Sequence, residues 1–138
     1  MESSKFNSLY CPIRGIRVSA SPEERVRQRL IVHMLGPLGY PKGHLAVEKN
    51  FFDKLIRRID LVCFYPVQDL LKPLLLVECK AERLSKEAEN QLFGYNAEIK
   101  APFLCLVSSK EIKLFWREKR AIKSLPFLPS YTDLIEKV

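Results

Sequence analysis

Hydrophobic residues recur along the chain with two periods, and each period marks a set of elements. Val26, Leu30, Ile31, Met34 and Leu35 share one side of a helical wheel. Ser21-Pro22-Glu23-Glu24 opens that segment with a capping serine, a proline at the first helical position and a glutamate three residues after the cap. A helix is therefore predicted over about residues 22–35, ended by the glycine and proline breakers of residues 36–43. Residues 45–48 read as a first strand. Residues 59–65, β-branched and aromatic, and 73–79, a nearly unbroken Leu/Val run, read as two more, the second buried on both faces. Between them, residues 66–72 supply a turn. The helical period returns over residues 83–100, capped by Ser85, with Leu84, Ala88, Leu92, Tyr95 and Ile99 as the packing stripe. Residues 103–107 form an apolar strand, residues 112–116 alternate as another, and residues 131–138 form a short turn or helix.

This order, about α-β-β-β-α-β-β, describes an α/β domain: a mixed central β-sheet flanked by helices. Its 138 residues are enough for one core, so residues 1–138 are expected to be a single domain, with 1–20 an N-terminal arm or hairpin and 117–138 a basic C-terminal extension. A hydrophobic fraction of 47% and a charged fraction of 28% are ordinary for a soluble protein. No apolar run approaches the roughly 20 residues of a spanning helix and no signal-peptide core is present, so a cytoplasmic protein without a membrane partner is expected. Four scattered cysteines without a CxxC pair fit buried thiols in a reducing compartment. His33 and His44 lack partners at ligand spacing and read as structural or solvated. The net charge of +7 and the isoelectric point near 9.3 point to a polyanionic partner. The basic residues Arg117, Lys119, Arg120 and Lys123 form either a solvated face or a nucleic-acid contact.

The candidate chemistry sits between Arg57 and Lys80. A hairpin symmetric about Asp69 sets Asp60 across from Glu78, with Lys80 on the same face and Cys79 pointing away; a slip of one residue would turn the acid to the other face. Two carboxylates facing each other in a dry hairpin require either a proton or a metal ion. Hard oxygens without His or Cys suit Mg²⁺ or Mn²⁺, and such an ion polarises a phosphodiester while Lys80 orients water or neutralises developing charge. The bland alternative is a structural Glu78–Lys80 pair at a strand end, with Asp60 a turn-proximal acid. On the helical wheel Glu23 and Arg27 lie near the middle of the apolar face, so Glu23 points inward as a fourth member while Glu24 serves the cap; the alternative is a Glu23–Arg27 surface pair. Glu48 is a weaker candidate. Gln91 and Tyr95, one turn apart on the helix after Lys80, either reach a common neighbour or form an amphipathic boundary.

Four strings carry a resemblance: Pro22-Glu23-Glu24-Arg25-Val26-Arg27-Gln28, Arg57-Arg58-Ile59-Asp60-Leu61-Val62, Leu75-Leu76-Val77-Glu78-Cys79-Lys80-Ala81 and Gln91-Leu92-Phe93-Gly94-Tyr95-Asn96. In order and spacing the chain resembles the PD-(D/E)XK nuclease superfamily, and in particular the N-terminal nuclease domain of type I restriction enzyme R subunits. The resemblance implies a restriction-endonuclease-like core and Mg²⁺- or Mn²⁺-dependent cleavage of DNA. It makes Asp60, Glu78 and Glu23 the metal ligands, with the adjoining Glu24 the other choice for the helix acid, and Lys80 the catalytic lysine. It places Gln91 and Tyr95 near the DNA path, where the basic Arg27, Arg57 and Arg58 are expected as well. Ile59 stands where the superfamily has proline. R subunits carry helicase motors after this domain and these 138 residues do not, so translocation-coupled cleavage is not expected. The expectation is a stand-alone deoxyribonuclease or a component of a restriction or repair complex with a separate motor or methyltransferase subunit. The alternative is a non-catalytic nucleic-acid-binding module.

Overall fold

The structure is a computed structural model that describes residues 7–49, 51 and 58–138. In chain order its elements are β1 (Ser8–Cys11), β2 (Ile16–Ser19), α1 (Pro22–Leu35), a 3-10 turn (Lys42–His44), β3 (Leu45–Lys49), β4 (Ile59–Val67), β5 (Leu70–Cys79), α2 (Lys86–Ile99), β6 (Phe103–Val107), β7 (Ile112–Glu118), β8 (Ala121–Leu125) and α3 (Tyr131–Glu136). Strands β3 to β8 form one six-stranded sheet in sequential order, and β1–β2 is a separate hairpin. Every adjacent pair in the large sheet is antiparallel except β5–β6, which is parallel because α2 carries the chain back between them. The expected mixed sheet with flanking helices is the observed architecture. Among the described residues no helix is long and apolar enough to cross a membrane.

Side-chain alternation divides the sheet into two buried faces. Leu61, Cys63, Leu75, Val77, Cys79, Cys105 and Leu114 pack with Val26, Leu30, Ile31 and Met34 of α1. Val62, Leu76, Leu104, Leu106 and Phe115 pack with Ala88 and Leu92 of α2, and Leu84, Tyr95 and Ile99 lie at the edge of that cluster as the helical stripe predicts. Both helices carry the expected caps, since the hydroxyls of Ser21 and Ser85 accept from the backbone N–H groups of Glu24 and Ala88, and the second begins at Lys86, three residues after the expected start. The four cysteines are free and buried. His44 packs edge-on against Tyr131, consistent with a structural role.

Three details of the sheet differ from the sequence expectation. Strands β4 and β5 run on to Val67 and Leu70, so the turn contains only Gln68 and Asp69, with Gln68 in the left-handed region (φ 57°). Its centre thus falls half a residue before Asp69. A bulge between Cys63 and Phe64 restores the difference: Phe64 pairs with Pro73 but Cys63 with Leu75, leaving Leu74 as the extra residue. Beyond the bulge, Cys63↔Leu75, Val62↔Leu76 and Leu61↔Val77 follow the expected register. The third difference is that residues 117–125, though exposed almost throughout, belong to the sheet and are not an extension from it. Arg117 and Glu118 finish β7, Lys119 turns the chain at φ 58°, and Ala121–Leu125 adds the edge strand β8. The basic residues before it, Arg117, Lys119 and Arg120, hid this strand, and an exposed edge strand needs no continuous apolar face.

Leu76 is fully buried between Val62 and Leu104 on the α2 face. Leu76→Ala should lower stability by ~2–5 kcal/mol, read as a shifted denaturant midpoint at unchanged slope; a loss below ~1 kcal/mol would contradict this packing.

Candidate active site at the end of strands β4 and β5

The β4–β5 ladder stops at Leu61–Val77, whereas β5 stays paired with β6 through Cys79–Val107. The Lys80 N–H extends that second edge by donating to the Val107 carbonyl at 2.8 Å. On the side facing β4, two backbone donors are left without ladder partners, and each is met by a carboxylate. The Asp60 N–H donates to Glu78 Oε1 at 3.2 Å, and the Cys79 N–H donates to Asp60 Oδ2 at 2.8 Å. The two acids expected to face each other instead cross-cap an opened strand end, each through the other strand's backbone, because regular pairing has ended before they are reached; Cys79, expected to point away, lines the cleft beside Asp60.

Asp60 collects charge from several elements. Its Oδ1 lies 3.7 Å from the Arg27 guanidinium of α1, which also donates to the Asp60 carbonyl at 3.4 Å. Burial pushes its carboxyl above the ordinary range; the Cys79 hydrogen bond and Arg27 pull it back, Glu23 pushes it up, and Lys80 lowers it. Asp60, Glu78, Lys80, Glu23 and Arg27 therefore occupy one neighbourhood. Lys80 is half-buried and Glu78 is only 4% exposed.

The two glutamates of α1 take places opposite to those the helical wheel assigns. Glu24 is the buried one, and its carboxylate is saturated. Arg27 donates at 2.6 and 3.0 Å, Arg14 at 2.9 Å to each oxygen, and Gln28 at 3.0 Å. Burial alone would raise this carboxyl, but the bonds from Arg27, Gln28 and Arg14 outweigh it and hold the pKa at about 2. Glu23 is exposed and lines the cleft with Asp60. The wheel places Glu23 within the apolar arc, but at the first turn of α1 that arc opens on a cleft instead of core. The flank holding Glu24 is covered by Arg14, which follows β1, a cover that periodicity within one helix cannot reveal. The Glu24 carboxylate is thus committed within the protein, and Glu23 is the α1 acid that faces the cleft.

Arg27, expected along a nucleic-acid path, is instead a buried hub. It is 8% exposed and shared among Glu24, Glu48 and Asp60. Glu48 sits at the end of β3 with φ 55°, a left-handed conformation that a non-glycine residue adopts at a cost of ~1 kcal/mol or more. Its carboxylate faces Arg27 at 3.3 Å and Arg58 at 3.7 Å. Arg58 is largely exposed, while Arg57 lies outside the described residues. Arg14, Glu23, Glu24, Arg27, Glu48, Asp60 and Cys79 line a cleft of about 410 Å³. Gln91 and Tyr95 belong to α2 across the sheet; Gln91 is exposed and Tyr95 half-buried against the α2 cluster. Arg14 was missed because the segment around Gly15 has no period to read, and Glu24 was placed second to Glu23 because its capping position offered a sufficient local explanation. A stripe at helical spacing, Glu24-Arg27-Gln28-Ile31, was the available signal.

Hard carboxylate oxygens from Asp60 and Glu78, with Glu23 at the mouth, form a donor set of the kind used by Mg²⁺ or Mn²⁺. Among the described residues no group of three or more His, Cys, Asp or Glu is arranged to hold an ion. Mg²⁺ commonly takes one or two protein carboxylates and completes its shell with water and substrate phosphate, so the residues fit such an ion without forming a cage for it.

The family model described as type I restriction enzyme R protein N terminus matches residues 22–129. No curated protein and no solved structure matches the chain. The six-stranded mixed sheet with its helices accordingly has the restriction-endonuclease-like α/β architecture that the sequence resemblance implies.

Two outcomes follow from the charges. Glu24 has a folded pKa of about 2 against an ordinary 4.5, so its contribution is full above about pH 4.5 and is lost as pH falls toward 2. Glu24→Gln, which breaks a buried pair, should cost ~3–5 kcal/mol at neutral pH and flatten the acid limb of a urea-midpoint profile; an unchanged acid limb would refute the assignment. Asp60 has the opposite sign, since a raised acid pKa means stability is lost as pH rises and the group ionises. Asp60→Asn should match or exceed wild-type melting temperature at neutral pH without divalent ions, and a drop of several degrees would refute it.

Proposed function

Since the chain belongs to the family of type I restriction enzyme R protein N termini, we propose that it is a restriction-type nuclease domain hydrolysing phosphodiester bonds of DNA with Mg²⁺ or Mn²⁺. The observation that carries this reading is the pair of carboxylates cross-capping the opened end of β4–β5, with Lys80 immediately after β5. Asp60 and Glu78 would hold the ion, and Glu23 would hold water or a second ion from α1. A bound ion supplies positive charge to the phosphodiester and promotes attack by water. Lys80 contributes a fixed cation beside the same phosphate, held by a backbone that is tied to β6 at Val107. Arg27 orients Asp60 through its carbonyl and carboxylate.

Incubation of plasmid and single-stranded DNA with Mg²⁺ or Mn²⁺ tests the proposal. Wild type should cleave, and Lys80→Ala and Asp60→Ala should each lose ~10²-fold or more. Cleavage that survives both substitutions would remove the mechanism.

A second reading, a nucleic-acid-binding module without turnover, draws support from Arg27, which already neutralises Asp60, and from the lack of a three-acid group among the described residues. Its signature is salt-sensitive DNA binding with no cleavage in any divalent ion. In either case the family context points to other restriction subunits, a motor or a methyltransferase, as partners.

A further inference from the structure

Helix α1 separates two clefts of different character. Its residues Glu23, Glu24 and Arg27 line the acidic cleft described above, where each arginine is paired. Around the helix, Val26, Arg29, Leu30 and His33 line a second cleft of about 490 Å³, closed by the β6–β7 turn and Pro126. That volume is of the size that takes small ligands. Its apolar wall is Val26, Leu30, Ile112 and Pro126, and its cationic groups are Arg29 and Lys110, with His33 beside them and Glu111 the one acid. Arg29, His33 and Lys110 are exposed, and among the described residues their side chains make no hydrogen bond or ion pair. Cations left unpaired around a part-apolar hollow match a ligand with an anionic end and a flat apolar body.

The turn is built to hold its shape. Ser108 is 7% exposed; its hydroxyl accepts from the N–H groups of Lys110 and Glu111, and its own N–H donates to the Glu111 carbonyl. Lys110 is thus presented from a pinned backbone. The second cleft also adjoins the first. Val107, in its wall, pairs with Cys79 in the wall of the acidic cleft and receives the Lys80 N–H. The two walls are therefore one strand spacing apart, ~4.8 Å.

We propose that this second cleft is a nucleotide-binding site: Arg29 and Lys110, with His33, take a phosphate, and the aliphatic wall of Val26, Leu30, Ile112 and Pro126 takes the sugar and base. The wall offers no side-chain hydrogen-bonding group to a base edge, so recognition is tolerant of sequence. The nucleotide is either free or a unit of a strand whose neighbouring phosphate lies at the Lys80 side. That last placement rests on the proposed nuclease reading; the binding site itself does not.

Fluorescence anisotropy with a labelled single-stranded oligonucleotide, in EDTA and on a Lys80→Ala background, separates binding from cleavage. The exposed pair Arg29→Ala/Lys110→Ala should weaken binding at least tenfold and reduce the log–log salt slope by about 1. The control Lys113→Ala/Lys123→Ala, which removes the same charge from the exposed β7–β8 hairpin, should lose much less. Competition by a free nucleoside monophosphate identifies the free nucleotide as ligand, and binding by the oligonucleotide alone identifies a unit of the strand. The proposal is overturned if the cleft pair stays within twofold of its background or matches the control, or if no oligonucleotide or nucleotide binds. Metal-dependent cleavage by wild type alongside an unaffected cleft variant would remove this site and leave the nuclease reading intact. Cleft-dependent binding without cleavage would do the reverse.

Discussion

Strand β5 cannot serve both its neighbours to the end. It keeps β6 through Cys79 but leaves β4 after Val77, and the donors exposed by that parting are met by the carboxylates of Asp60 and Glu78. Buried N–H groups demand partners, so the two acids are held in place by the same bonds that finish the sheet. Each commits one oxygen to the backbone, and Asp60 keeps its other oxygen toward Arg27 and the cleft. The acids are thus held in place by the fold itself.

Concentrating acids at a strand end creates an electrostatic cost that Arg27 meets. Its guanidinium is buried among Glu24, Glu48 and Asp60, and Arg14 supports the same Glu24 carboxylate from the N-terminal hairpin. A buried charge is tolerated only when it is paired and its hydrogen-bonding positions are filled, and Glu24 meets that condition with five contacts from three residues. The small β1–β2 hairpin therefore has a part in the site: its turn carries the second arginine that allows Glu24 to stay ionised inside.

Much of this was legible in the sequence, for reasons that differ by residue. Ser21 and Ser85 marked both helix starts because capping is local chemistry. The register that brings Asp60 next to Glu78 was reached through two errors that offset each other, a turn placed half a residue late and an unforeseen bulge that adds one residue back. Hydrophobicity could not show the bulge, since Leu74, Leu75 and Leu76 are alike and all fully buried. The exchange of Glu23 and Glu24 was invisible because the cover over Glu24 comes from a segment ten residues earlier. Strand β8 escaped because it is short and exposed and carries no buried apolar face to read.

The placement of α1 gives the charge pattern its sense. A cation-binding site and a phosphate-binding site have opposite electrostatic needs, and merged in one hollow their side chains would pair with each other. Arg27 shows this outcome on the acidic side, where its guanidinium is committed to carboxylates. Arg29 stands two positions on, about 200° around the helix, and escapes that fate. About half a helix turn thus divides paired arginine from unpaired arginine, while Cys79–Val107 pairing keeps the two clefts one strand apart. Separation by helix geometry and adjacency by sheet geometry together let the chain keep an acid pair and a set of unpaired cations in neighbouring clefts without their neutralising each other.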